Sequence, residues 1–134
     1  AGFSLRSILE ENDRYVWVSG EVLYRWDRQT NTLKSFETTS KRVDDFGNTG
    51  PYAMVKAQEG NLWFATSEGL FVYDPKLEKA RQFKFDKAKP DGVPQKNVFT
   101  VYEDREGQLW IVTENFLSKM TDKKNGLFKH YRYV

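Results

Sequence analysis

Cysteine is absent from the chain and histidine occurs once, as His130. Without cysteine there is no disulfide, no thiol nucleophile and no cysteine-ligated zinc, and the redox compartment stays open between cytoplasm and bacterial periplasm. A single histidine excludes a multi-histidine metal site and a Ser-His-Asp relay assembled from this chain alone. Neither sign of charge dominates: 21 Lys and Arg face 19 Asp and Glu, a net charge of +2 with no basic stripe. Nucleic acid is therefore not an expected partner. No apolar run approaches membrane-span length, and the start Ala1-Gly2-Phe3-Ser4 has neither a basic n-region nor an apolar h-region. The expectation is a water-soluble segment that inserts into no membrane, its targeting signal removed or never part of it. Gly-rich phosphate loops, nucleophile elbows and dinucleotide fingerprints are missing too, so no cofactor is expected. Asp44-Asp45 with Asn48 lacks the alternating oxygen ligands and terminal Glu of a calcium loop, and no metal site is expected.

Aromatic residues, by contrast, are plentiful: ten Phe, seven Tyr and four Trp make 16% of 134 residues. That length suits one ordinary domain. The aromatics recur in a pattern. Leu62-Trp63-Phe64-Ala65-Thr66 is echoed by Leu109-Trp110-Ile111-Val112-Thr113 and more loosely by Val16-Trp17-Val18-Ser19, so tryptophans stand 46 and 47 residues apart (17 to 63, 63 to 110). A period in the forties is a repeat signature, with propeller blades and paired-helix repeats as the candidates.

Stretches 4–17, 50–63 and 97–110 align without gaps, each giving a short apolar strand, a polar turn and the tryptophan strand. Gly60 and Gly107 sit where a type I turn with a bulge needs positive φ, and Gly69 marks the next turn; the first copy has Glu11-Asn12-Asp13-Arg14 and no glycine. Strands rich in aromatic and β-branched residues follow, such as Leu70-Phe71-Val72-Tyr73, and then a fourth around Ala80 to Phe85. Runs of four to seven residues bounded by Gly, Asp, Asn or Pro do not make paired helices. The reading is all-β: three four-stranded antiparallel propeller blades at about 3–37, 50–86 and 97–134, one segment covering 1–134. Closed propellers use roughly four to eight blades, so three are expected to be part of a larger ring.

The copy Val98-x-x-Val101-x-Glu103-Asp104-x-x-Gly107-x-Leu109-Trp110-Ile111-x-Thr113, with Leu62 through Asp74, resembles the two-component regulator propeller repeat. Departures are Phe116 where the second copy has Gly69, Met120-Thr121-Asp122 in place of Val72-Tyr73-Asp74, and a first copy one residue shorter between Trp17 and Asp27. The resemblance implies the periplasmic sensor region of a bacterial membrane receptor, commonly a hybrid histidine kinase and a homodimer, with an oligosaccharide or other small ligand. The remaining blades of the parent propeller are then the chain's first partners.

Trp17, Trp63 and Trp110 share one phase of every repeat, so core packing between blades outweighs sugar stacking as their role. For the same reason they are expected at equivalent buried sites. Catalytic residues are expected to be none, and a propeller lyase or hydrolase fragment, or a purely structural dimerisation scaffold, remains the alternative. A binding surface on a propeller lies on the loops at one end of the blades. By position alone, Arg42, Asp45, Phe46, Asn97 and Glu114 are the candidate ligand contacts.

Overall fold

The computed structural model describes residues 6–35 and 50–134. Arg42, Asp45 and Phe46 lie outside them. Among the described residues there is no helix; twelve strands form three four-stranded antiparallel meanders. The first holds β1 (Ser7–Glu10), β2 (Tyr15–Ser19), β3 (Leu23–Asp27) and β4 (Thr32–Ser35). The second holds β5 (Ala53–Lys56), β6 (Leu62–Thr66), β7 (Gly69–Asp74) and β8 (Lys79–Phe83), and the third β9 (Thr100–Glu103), β10 (Leu109–Val112), β11 (Phe116–Asp122) and β12 (Leu127–Arg132). Strands within each sheet are neighbours in chain order, as hairpin connections require.

Side chains alternate across each sheet, so every blade has one face toward its predecessor and one toward its successor. Trp17 pairs across the ladder with Leu9 and Arg25, and on that face it enters a core with Met54, Leu62, Phe64, Phe71, Tyr73 and Ala80 of the next sheet. Its ring meets Phe64 and Tyr73 edge-on, at 5.5 and 5.1 Å. Trp63 repeats the move one blade later against Val98, Val101, Leu109, Ile111, Met120 and Phe128. The middle blade is thus covered on both sides, and β6 is buried at all five positions. A strand apolar on both faces needs that sandwich.

Trp110 departs from the expected equivalent burial. Trp17 and Trp63 are 0% and 1% exposed, whereas Trp110 is only half-buried. Its phase is the same, but no described sheet lies on the far side of the third blade. Trp110 there shares an apolar hollow with Tyr102, Val112 and Leu117, and its ring stands 6.2 Å from that of Tyr131. On the opposite end of the stack Ile8 and Leu33, the register counterparts of Met54 and Ala80, are 72% and 60% exposed.

Turns repeat as faithfully as strands. Asp27, Asp74 and Asp122 end the third strand of each blade, and each carboxylate accepts backbone amides of the turn that follows. Four residues later the backbone adopts positive φ, at Asn31 (55°), Glu78 (53°) and Gly126 (68°). A bulge between Met120 and Asp122 absorbs the extra residue of the third copy, so Asp122 keeps this place. Glycine in the first hairpin is needed in two blades, where Gly60 and Gly107 have φ of 99° and 79°. In the first blade the Asn12 carboxamide accepts the amides of Arg14 and Tyr15 instead, which closes the turn without glycine.

Trp63→Ala should destabilise the chain by about 3–5 kcal/mol in urea unfolding, through lost area plus a cavity. Trp110→Ala should cost clearly less, and equal costs would contradict the packing order. Glu78→Gly should raise stability by up to about 1 kcal/mol, because relief of the left-handed strain exceeds the added unfolded-state entropy.

Candidate functional site

Each motif tryptophan donates its indole N–H to a carboxylate on its own first hairpin: Trp17 to Glu11 at 2.7 Å, Trp63 to Glu59 at 3.0 Å, Trp110 to Asp104 at 2.9 Å. The acceptor stands six residues upstream in the outer blades; in the middle blade that place is Ala57 and Glu59 substitutes from four residues upstream. A buried indole N–H without a partner is costly, so the carboxylate fixes the ring's depth and rotation. Asp104 is held below the ordinary carboxylate range by the Trp110 indole and by the amides of Gln108 and Glu106. Burial pushes Glu59 upward, but hydrogen bonds from the Trp63 indole and the Lys123 ammonium outweigh it and keep Glu59 low. Asp27 is held far below its usual range by a bidentate bond to the Arg14 guanidinium.

Among the described residues, Ser118 and His130 are the one pairing reminiscent of nucleophilic catalysis. Ser118 Oγ lies 2.7 Å from His130 Nδ1, and His130 Nε2 lies 3.0 Å from the carbonyl oxygen of Pro90. The Pro90 carbonyl only accepts, so Nε2 carries the proton and Nδ1 accepts the Ser118 hydroxyl. Ser118 is fully buried. The pair clamps outer strand β12 to the segment that crosses between the second and third blades, and the amide of Phe128 donates to Asp91 at 2.7 Å alongside it. Among the described residues no group of three or more His, Asp or Glu is placed to hold a metal ion.

The end of the blades where the inner strands begin gathers different chemistry. Arg6, Tyr52 and Phe99 each stand eleven residues before a motif tryptophan. The Arg6 guanidinium lies 5.2 Å from the Tyr52 ring centroid, and the Tyr52 and Phe99 rings are 5.9 Å apart and tilted by 35°. Arg6 Nη1 donates to the Gly50 carbonyl at 3.0 Å, which steadies the cation over the ring. Asn97 joins the row, its carboxamide oxygen accepting from the Tyr52 hydroxyl at 3.4 Å. Arg6 and Asn97 are exposed, as is Phe99 at 44%.

Of the positional candidates, then, Asn97 falls in a cluster. Glu114 is exposed in the β10–β11 turn and has no hydrogen bond or ion pair to Asn97. Its neighbour Asn115 is instead locked to Gln95 by two hydrogen bonds of 2.7 Å. Arg6, Tyr52 and Phe99 escaped the sequence reading, because three different residue types at one phase leave no motif. The phase itself was the available signal.

Residues 92–115 match the family model described as two component regulator propeller. They run from the crossover through β9 and β10 to the next turn. No curated protein matches the chain. Among solved structures, the extracellular domain of the hybrid two component system BT3049 from B. thetaiotaomicron superposes with a TM-score of 0.76 at 17% identity, over 96% of this chain and 18% of that one. The corresponding domain of BT4673 from the same organism gives 0.72 at 20% identity, over 89% and 15%. Virginiamycin B lyase from Staphylococcus aureus gives 0.66 at 14% identity, over 96% and 41%. At such identities the likeness is one of fold: the three sheets are blades of a β-propeller. The chain spans less than a fifth of the length of these extracellular domains.

Carboxylates with depressed folded-state pKa values stabilise the fold above the unfolded range and lose that effect as pH falls through the folded value. Stability should therefore hold above about pH 4.5 and fall progressively below it. Asp104→Asn should flatten part of that acid limb in denaturation midpoints measured from pH 7 downward; an unchanged limb would show that the indole contact contributes nothing.

Proposed function

We propose that this chain is a ligand-sensing propeller segment from the extracytoplasmic, periplasmic part of a bacterial two-component signalling receptor, acting by binding and without catalysis. The match of residues 92–115 to the two component regulator propeller model carries this reading. Placement of that stretch in the third of three phased blades supports it, as does superposition on extracellular domains of hybrid two component systems. The ligand class proposed is an oligosaccharide or other small molecule held at the open end of the blades.

The first partners are further blades of the same repeat. Trp110, Tyr102, Val112 and Leu117 present on the third blade the face that the first two blades bury, and an apolar face of that kind favours association. Superposition on virginiamycin B lyase is the observation that favours an enzymatic alternative, and it rests on fold alone. In the only serine–histidine pair among the described residues, Ser118 is fully buried and both His130 ring nitrogens are engaged in structural hydrogen bonds, which argues for binding.

Calorimetry of the purified chain against a panel of oligosaccharides should give binding with no product formed. Turnover that survives repurification and is abolished by one substitution would overturn the non-catalytic reading. In sedimentation the isolated chain should self-associate, and Trp110→Lys should shift it toward monomer; a wild-type chain that stays monomeric at high concentration would count against docking of further blades.

A further inference from the structure

An exposed Phe99 ring beside a half-buried Tyr52 ring, with a cation on one end and a carboxamide on the other, is more than a scattered surface hydrophobic. We infer that Arg6, Tyr52, Phe99 and Asn97 form a ligand subsite for an organic anion carried on a six-membered ring, the ring lying against Phe99 and Tyr52 and the anionic group meeting Arg6. The inference rests on the binding role proposed above and names the chemistry of that site.

Each part has a reason in the geometry. Tyr52 is held between its neighbours, 5.2 Å from the guanidinium and 5.9 Å from the Phe99 ring, so the row has a fixed order: cation, ring, ring. Phe99, at 44% exposure, leaves ring surface open to solvent next to Tyr52. An aromatic face with its negative quadrupole attracts the polarised C–H bonds of a saturated ring or the edge of an aromatic one. Arg6 spends one nitrogen on the Gly50 carbonyl and has no carboxylate partner among the described residues, which leaves further N–H groups for charge-assisted bonds to a ligand oxygen. The Asn97 oxygen is taken by the Tyr52 hydroxyl, so its NH2 group faces outward as a donor to a hydroxyl or carbonyl.

Common position in the repeat makes the row a product of the fold. Arg6, Tyr52 and Phe99 precede the inner strands of consecutive blades by the same offset, and neighbouring members of the row are 5.2 and 5.9 Å apart. The ladders below them hold the spacing, so the subsite needs no ordering on ligand binding, which favours affinity.

The test is titration of the isotope-labelled chain, followed by amide NMR shifts, with four probes: D-glucuronate, D-glucose, benzoate and benzyl alcohol. Glucuronate or benzoate should move the signals of Tyr52, Asn97 and Phe99 saturably, and bind about tenfold more tightly than its neutral counterpart, as one charge-assisted contact provides. Tighter glucuronate would identify an acidic sugar as the source, and tighter benzoate an aromatic acid. Arg6→Gln should abolish the preference for the anion while leaving weak binding of the neutral ring; Phe99→Ala should weaken both. Should Phe99→Ala lower the unfolding midpoint, Phe99→Leu keeps the volume and removes only the aromatic face. Absence of saturable shifts with all four probes, or an anion preference that survives Arg6→Gln, would overturn the inference. Binding of a neutral oligosaccharide with shifts confined to other residues would overturn it and leave the sensing role standing.

Discussion

Everything in this fold depends on one contact made twice: a tryptophan buried in the core it shares with the next sheet, its indole N–H held by a carboxylate of its own hairpin. A four-stranded meander alone buries too little to be stable, because one of its faces is left to water. Stacking solves this only if ring depth and rotation agree from sheet to sheet. The carboxylate sets both. Removing the ring leaves a void, and removing the carboxylate leaves a donor without an acceptor, so the two terms fail differently.

The row of side chains where the inner strands begin follows from that stacking. Since the blades repeat in phase, any chosen position produces a row of side chains, one per blade, at blade-to-blade spacing. At the motif phase the row is aromatic, buried at Trp17 and Trp63 and half-buried at Trp110; eleven residues upstream it reaches solvent, at Arg6 and Phe99 with Tyr52 half-buried between them. A repeat protein thus obtains a surface by varying residue type at one phase and keeping packing constant at another.

Much of this was legible in the sequence. Tryptophan spacing gave the repeat, glycines with positive φ gave two hairpins, and runs of aromatic and β-branched residues gave strands in meander order. What stayed hidden has physical reasons. Trp110 has the same local sequence as Trp63, and its exposure comes from what does not stand beside it. Glu59 supplies from four residues upstream the acceptor that the outer blades place six residues upstream, a substitution visible only when the ring and carboxylate are seen together. The bond from His130 to Pro90 joins residues 40 apart, and no local pattern announces it.

Small polar contacts at the blade boundaries carry a separate implication. The Lys56 ammonium donates to the Glu11 carbonyl at 2.6 Å across the first boundary, whereas at the second the Glu103 carboxylate accepts the Gln58 amide at 3.0 and 3.1 Å. Lys56 and Glu103 stand seven residues before their tryptophans, so equivalent places hold opposite charges and grip opposite backbone groups. If the third blade docked on the first, the Glu103 carboxylate would take the place of the Lys56 ammonium, and the bond to the Glu11 carbonyl would be lost. The apolar faces differ as well, aromatic at the first boundary with Phe64, Phe71 and Tyr73 and mainly aliphatic at the second with Val98, Val101 and Ile111. Each boundary thus differs from the other both in its polar contact and in the side chains of its core, so neighbouring blades are not interchangeable parts.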